Sequence, residues 1–227
     1  MLCDCVPFAP AGPTRDLVPD RPGPAVSRTE PAPGGDPRGG LLLVPASHPL
    51  REAVEDCIAT VYERAFGARD LSFPTLLIAW AGADGRPLCA AGLRTAADGF
   101  FSEAYLDRPI ERLLAAEAGE PVAREAVFEV TTLASRSAEA SPAFLRQLAV
   151  FGGRAGFRWS FFTATERLRR LLRGLGIPAL ELAPADPGRL ADPERWGSYY
   201  SQAPRVCAVR DGWLEGGVLV RGAAGDA

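Results

Sequence analysis

From residue 50 onward the apolar positions change period along the chain, and each change marks an element. Leu50, Val54, Cys57, Ile58, Val61, Tyr62 and Ala65 recur at helical spacing and Gly67 follows them, which predicts an amphipathic helix with a glycine stop. The two apolar runs of TLLIAWAGADGRPLCAAGLRT flank Asp84 and Gly85 and predict a β-hairpin. Asp107 and Pro109 suit the N-cap and first turn of a helix reaching about Ala118. AVFEVTTLAS is β-branched and apolar around one acid, Glu129, and reads as a central strand. Ser141 and Pro142 open a helix that ends near Gly156, and RWSFFTA then predicts a strand. A helix from Thr165 to about Arg173 and two strands, PALELAP and RVCAVR, complete the pattern. Helices and strands in this order predict an α+β fold, a mixed sheet with helices on both faces.

The first 44 residues have no such period. They are rich in Pro, Gly and Ala, as in PAPGGDPRGG, and such a segment buries too little to offset its ordering entropy. The expected organisation is a disordered leader over 1–44, one folded domain over 45–210 and a flexible tail over 211–227.

Composition narrows the function. A net charge of -3 and a pI near 5.4 exclude a general nucleic-acid binder, which carries a basic excess over a whole face. Every basic residue is Arg, so lysine nucleophiles are absent. The 5 cysteines lack CxxC spacing and His48 is the only histidine, which argues against a metal site, a disulfide framework and a histidine-based triad. No apolar run approaches the roughly 18 to 20 residues of a membrane span, and the amino terminus lacks the layout of a secretion signal. Cytoplasmic residence is the expectation.

One local charge pattern stands out. Leu168, Leu171, Leu172 and Leu175 form one helical stripe, while Arg167, Arg169, Arg170 and Arg173 point elsewhere. Arg146, Arg154 and Arg158 lie upstream, and Glu166 is the only acid between Arg146 and Arg173. Two readings stand: a solvated helix face, or a patch for an anion. Thr163 and Thr165 lead from a strand into the helix N-terminus, where free N–H groups favour a phosphate. Thr163, Thr165, Arg167 and Arg170 are therefore the candidate donor-binding residues.

The blocks SHPLREAVEDCIATVYERAFGA, AYLDRPIE, FEVTTLAS, GFRWSFFTATERLRRLLRGLGI, LAPAD and WGSYY...PRV, spread over residues 47–209, resemble the thermostable hemolysin family of bacteria. In arrangement the chain also resembles the autoinducer synthases that make acyl-homoserine lactones and, through them, the GNAT acyltransferase superfamily. The resemblance implies a GNAT-like acyltransferase fold whose sheet splays around an acyl-thioester cleft. Its expected activity is transfer of an acyl group from an acyl thioester to a small amine. The chain departs from the family pattern at Thr131 and Thr132, where Gly-Asn is expected, and at Arg170, where Asn is expected. It also carries SRSAEASPA in place of the glycine-rich pyrophosphate loop. The implied donor is an acyl carrier protein, through its phosphopantetheine, ahead of CoA; no tightly bound cofactor is expected. An acidic carrier suits an arginine patch.

Within that implied chemistry Glu129 is the candidate base, because burial of a carboxylate raises its pKa toward the useful range. A structural ion pair with Arg94 or Arg124 is the competing reading. Thr131 shares a face with Glu129 by the two-residue strand period and is a candidate for orienting substrate. Tyr199 or Tyr200 is the candidate proton donor to the leaving thiol, and Phe101 and Tyr105, beside Phe100, are candidates for the substrate pocket or for plain core. Two other functions remain open: a membrane-active protein without acyltransferase activity, and an inactive relative that binds an acyl ligand.

Overall fold

The computed structural model describes residues 40–211. Strands β1 (Gly40–Pro45), β2 (Leu76–Ala81), β3 (Pro87–Arg94), β4 (Val127–Ser135), β5 (Trp159–Ala164), β6 (Leu180–Pro184) and β7 (Arg205–Arg210) form one sheet in the order β1-β2-β3-β4-β5-β7-β6. Four α-helices accompany them: α1 (Arg51–Phe66), α2 (Ile110–Ala118), α3 (Ser141–Arg154) and α4 (Glu166–Gly174). The mixed sheet with its helices is the architecture predicted from the period of the chain.

Local chemistry sets the element ends. Helix α1 buries Val54, Cys57, Ile58, Val61 and Tyr62 and stops at Gly67, whose φ of 69° lets its N–H turn back to the Glu63 carbonyl at 2.7 Å. At the start of α4 the Thr165 hydroxyl accepts from the Leu168 N–H, and Leu168 and Leu172 go into the core. Asp107 does not cap α2: that helix begins at Ile110 behind Pro109 without a side-chain cap, and Asp107 pairs with Arg189 instead.

Strand β1 corrects the expected leader boundary. Residues 40–44 belong to a strand that pairs antiparallel with β2, Leu42 opposite Ala79 and Val44 opposite Leu77. Val44 is fully buried. The run GLLLVP is too short to declare a period beside so much Pro and Gly; its pairing with the β2 edge makes it a strand. The rest of the expected leader, 1–39, and the tail beyond Asp211 lie outside the described residues.

The important junction is between β4 and β5. All other neighbouring strands pair antiparallel, whereas these two run parallel, connected through α3. Their pairing covers only Val127 to Val130 against Trp159 to Phe162. Beyond Val130 the strands part: β4 continues to Ser135 along β3, and β5 continues to Ala164 along β7. A bulge at the same level adds a residue to β4, since Ala90 opposes Ala134 while Gly92 opposes Thr131. Thr132 sits in that bulge with φ 45°, a left-handed conformation that a β-branched residue adopts at a cost.

Candidate active site

The parting of β4 and β5 opens the sheet at its centre. The opening is a cavity enclosing about 870 Å³ of non-atom space, its mouth included. Phe128 and Val130 of β4, Leu145 and Leu148 of α3, and Leu168 and Leu172 of α4 line its inner wall. All the lining residues are uncharged. The space therefore suits an alkyl chain, with about 25 cal/mol gained per Å² of apolar surface removed from water.

Aromatic side chains surround the other side. Phe101, Tyr105, Trp196, Tyr199 and Tyr200 line it, with Phe101 and Trp196 ring centroids 5.6 Å apart and Tyr199 edge-on to Tyr200 at 5.2 Å. The helical turns of Glu194–Gln202 carry three of these rings and lie against the end of α1. Gly197 permits this approach: its φ is 53°, and a Cβ there would collide with the Phe66 carbonyl oxygen. The Ser198 hydroxyl donates to that same carbonyl. The Tyr105 and Tyr200 hydroxyls are 2.6 Å apart. Burial raises the pKa of both phenols, and the Tyr200 hydrogen bond raises that of Tyr105 further. The pair stays neutral in the physiological range, and one shared bond leaves one O–H proton to donate elsewhere.

Behind the wall is Glu129, fully buried on β4. Its Oε2 accepts from the Phe101 N–H at 2.6 Å and its Oε1 from the Ser102 N–H at 2.8 Å. Burial raises its pKa; the Ser102 hydroxyl, the two N–H donors and the Arg94 charge pull the other way without cancelling it. Of the two alternative ion pairs, that with Arg124 does not form, because Arg124 bridges Glu103 at 2.6 Å and Glu111 at 2.8 Å, and Arg94 acts on Glu129 only as a nearby charge. Glu129 thus fixes the turn at Phe101 and Ser102 against β4. Its carboxylate is not part of the cavity lining, whereas Ser102 and Thr163 are. The hydroxyls of those two residues lie 2.8 Å apart.

The remaining candidates divide. Thr131 and Thr132 line the cavity, and the hydroxyl oxygen of each is buried without a hydrogen-bond partner. Thr131 has room because residue 92 is glycine: a Cβ there would collide with its hydroxyl and approach Pro74 to 2.7 Å. Phe101, Tyr105 and Tyr199 all line the cavity as well. The donor-binding set is not brought together. Thr163 joins Ser102, on the Glu129 side; Thr165 is buried and serves its own helix; Arg167 and Arg170 are exposed on α4, with Arg170 paired to Glu166 at 2.7 Å. Only part of the wider arginine patch is neutralised by residues distant in sequence. Arg158 and Arg210 share Glu120, and Arg169 meets Glu181 at 3.1 Å while holding the Ala164 and Ala203 carbonyls.

At the far end of β4, the segment standing where CoA-dependent relatives are expected to hold pyrophosphate is closed on itself. The Ser137 N–H donates to Ser135 Oγ at 3.1 Å and the Ala140 N–H to Ser137 Oγ at 3.1 Å. Ser141 Oγ sits 2.8 Å from Ser135 Oγ. Among the described residues no group of side chains is placed to hold a metal ion.

The model of the family described as Thermostable hemolysin matches residues 44–213. The chain belongs to the thermostable hemolysin family. No curated protein sequence matches it. In structure, this family member resembles FeeM, an N-acyl amino acid synthase from uncultured soil microbes, at 13% identity and TM-score 0.52, over 80% of this chain and 96% of that one. It resembles TofI, solved in a ternary complex with an inhibitor and MTA, at 17% identity and TM-score 0.51, over 75% and 90%. The acyl-homoserine lactone synthase LasI follows at 10% and 0.50, over 76% and 90%. The hemolysin-family chain therefore shares the mixed-sheet fold of these synthases, as the sequence blocks imply.

Sequence reasoning missed Ser102, Trp196 and the Tyr105–Tyr200 pair as members of one constellation. Ser102 carries no local signal, since a serine after two phenylalanines is unremarkable. Only the chain reversal that lays residues 101–102 on β4 gives it a role.

Proposed function

We propose that the protein is an N-acyltransferase that moves a fatty acyl group from a thioester to an amine. The observation that carries this is an uncharged, apolar cavity opening at the parting of two parallel strands, with a buried carboxylate of raised pKa behind its wall. The amine nitrogen attacks the thioester carbonyl carbon, the carbon–sulfur bond breaks, the nitrogen loses its proton to Glu129, and the thiolate takes a proton. Thr131, Thr132 and the spare O–H of the Tyr105–Tyr200 pair, all in the cavity wall, serve as donors to the developing oxyanion or the sulfur in this reading, a role Tyr199 shares as a neighbouring phenol. Phe101 and Tyr105 bound the pocket for the acceptor.

A carrier-protein thioester fits better than CoA. Two backbone amides of the segment after β4, those of Ser137 and Ala140, already donate to serine hydroxyls, which counts against a pyrophosphate there. Arg146, Arg154 and Arg173 are exposed and make no ion pair among the described residues, leaving a modest basic surface on α3 and α4 for an acidic carrier. No described helix is long and apolar enough to cross a membrane, and a cytoplasmic setting belongs to the same proposal.

Thermal-shift titration with dodecanoyl-carrier protein, dodecanoyl-CoA, acetyl-CoA, free carrier, free CoA and dodecanoate tests this reading. A ligand at 100 times its Kd adds about 2.7 kcal/mol of stability, a shift of several degrees for a domain of this size. The long-chain thioesters are expected to stabilise the protein and the acetyl and unacylated controls are not. Equal shifts with dodecanoate alone would point to a lipid-binding relative, and no shift with any donor would remove the acyltransferase reading.

A further inference from the structure

We propose that Ser102 and Thr163 form a hydroxyl relay that carries the proton of the attacking amine from the cavity to Glu129. This inference rests on the acyl-transfer reading and adds how a base sealed behind the wall reaches its substrate.

Two facts create the need for a relay. Glu129 is fully buried and is not part of the cavity lining, and each of its oxygens is already held by a backbone N–H, from Phe101 and from Ser102. An amine in the cavity therefore has no direct approach to the carboxylate. The hydroxyls bridge that gap. Ser102 is 2% exposed, its hydroxyl lies beside the carboxylate, and its Oγ is 2.8 Å from Thr163 Oγ1. Thr163 stands on β5 just past the last residue paired with β4, so it faces the opening that the parting strands create. The three residues come from three segments: β4, the turn before α2, and β5.

The proton count closes. Ser102 Oγ–H donates to the ionised Glu129, Thr163 Oγ1–H donates to Ser102 Oγ, and the outward lone pair of Thr163 accepts from the amine. As nitrogen bonds to the thioester carbon it releases a proton to Thr163 Oγ1, which passes its own proton to Ser102 Oγ, which passes its own to Glu129. Each hydroxyl ends neutral, nitrogen ends as an amide, and Glu129 ends protonated. Proton release from Glu129 by the reverse path after product leaves restores the start. Thr163 touches the substrate and is a catalytic residue; Ser102 acts through it and positions the carboxylate through its own N–H.

The test compares thiol release by the full chain and its Thr163→Val, Thr163→Ser, Ser102→Ala and Glu129→Gln variants, with dodecanoyl-carrier protein or dodecanoyl-CoA as donor and phenethylamine or homoserine lactone as amine. Thr163→Val preserves shape and Thr163→Ser preserves the hydroxyl. The relay predicts that kcat falls about 10- to 100-fold in Thr163→Val and Ser102→Ala, within the span of general acid–base effects, while KM for the donor changes less than about twofold. Thr163→Ser is expected within about threefold of wild type, and the solvent isotope effect on kcat is expected to grow in Thr163→Val as proton transfer becomes the slow step. Wild-type turnover in Thr163→Val beside a lost Glu129→Gln activity would overturn the relay and leave acyl transfer standing. A Thr163→Val defect in KM alone would make Thr163 a binding residue and also overturn it. No thiol release by the wild type in any donor–amine pair would remove acyl transfer and the relay together.

Discussion

The two ends of β4 put similar residues to opposite uses. Near Ser135 every serine hydroxyl has a partner: Ser135, Ser137 and Ser141 bind one another and the backbone that starts α3. At the bulge, in the same strand, Thr131 and Thr132 have buried hydroxyl oxygens with no partner. A buried polar atom left unsatisfied costs about 1 to 3 kcal/mol, so the bulge holds a deficit that a bound ligand can fill. The closed end is structural and the unsatisfied end is where a ligand is expected. The same contrast separates a loop that resembles a phosphate site only by position from a cavity whose wall carries unpartnered hydroxyls.

The largest effect expected is at Glu129. Glu129→Gln should lower turnover at least about 100-fold, a general-base loss, measured as thiol release at saturating donor. The pH dependence carries a signature. The folded-state pKa of Glu129 lies above its ordinary value near 4.5, so the folded state binds the proton more tightly than the unfolded state does. Its contribution to stability is present below 4.5 and is lost as pH rises through the raised value, while turnover rises over the same window because the base must be ionised. Urea unfolding at several pH values should show this opposed pair of slopes in the wild type, and Glu129→Gln should flatten the stability arm.

Next in size is Ser135→Ala, which strands the partners of a buried hydroxyl and should cost about 1 to 3 kcal/mol in urea unfolding. Turnover per folded molecule should be unchanged; a kinetic defect would show that the closed end also meets the donor. Thr131→Val should behave in the reverse way. Removing an unpartnered hydroxyl at constant shape should leave stability unchanged within about 0.5 kcal/mol or raise it, yet weaken turnover several-fold. A destabilised Thr131→Val would mean that its hydroxyl already has a partner, and the contrast between the two ends would collapse. The smallest effect is expected from the arginines. Alanine at Arg146, Arg154 and Arg173, or at Arg167 and Arg170, should weaken carrier binding at low ionic strength and have little effect at high salt, as surface charges do. Unchanged affinity at low salt would return them to a solvated helix face.

The fold was legible because its helices and strands bury faces at regular periods. Stops such as Gly67, helix starts such as Thr165 and the period change around β4 are local signals that survive folding, whereas the cap read at Asp107 does not, since that side chain pairs with Arg189. Glu129 was legible for the same reason, as a charge where the strand pattern demands an apolar residue. What failed to show was tertiary. The arginine run appeared unopposed because Glu166 is its only local acid, but folding brings Glu120 and Glu181 to Arg158, Arg210 and Arg169. Thr163 and Thr165 were read as one anion site from adjacency, while the strand end and the helix start turn them to different tasks. Ser102 and the Tyr105–Tyr200 bond are created by chain reversals, and no spacing rule contains them. Strand β1 was hidden by its length and its glycine- and proline-rich surroundings.

The most direct test of the account is calorimetric titration of dodecanoyl-carrier protein into the wild type and into Ala149→Phe. Ala149 is a half-buried residue of α3 on the cavity wall, so the added ring projects into the space assigned to the acyl chain. The account predicts saturable binding by the wild type and at least about tenfold weaker binding by the variant, equal to about 1.4 kcal/mol, with free carrier indifferent to the substitution. Undiminished affinity in a folded Ala149→Phe protein would place the acyl chain elsewhere and contradict the central claim that the parting of β4 and β5 is the acyl site.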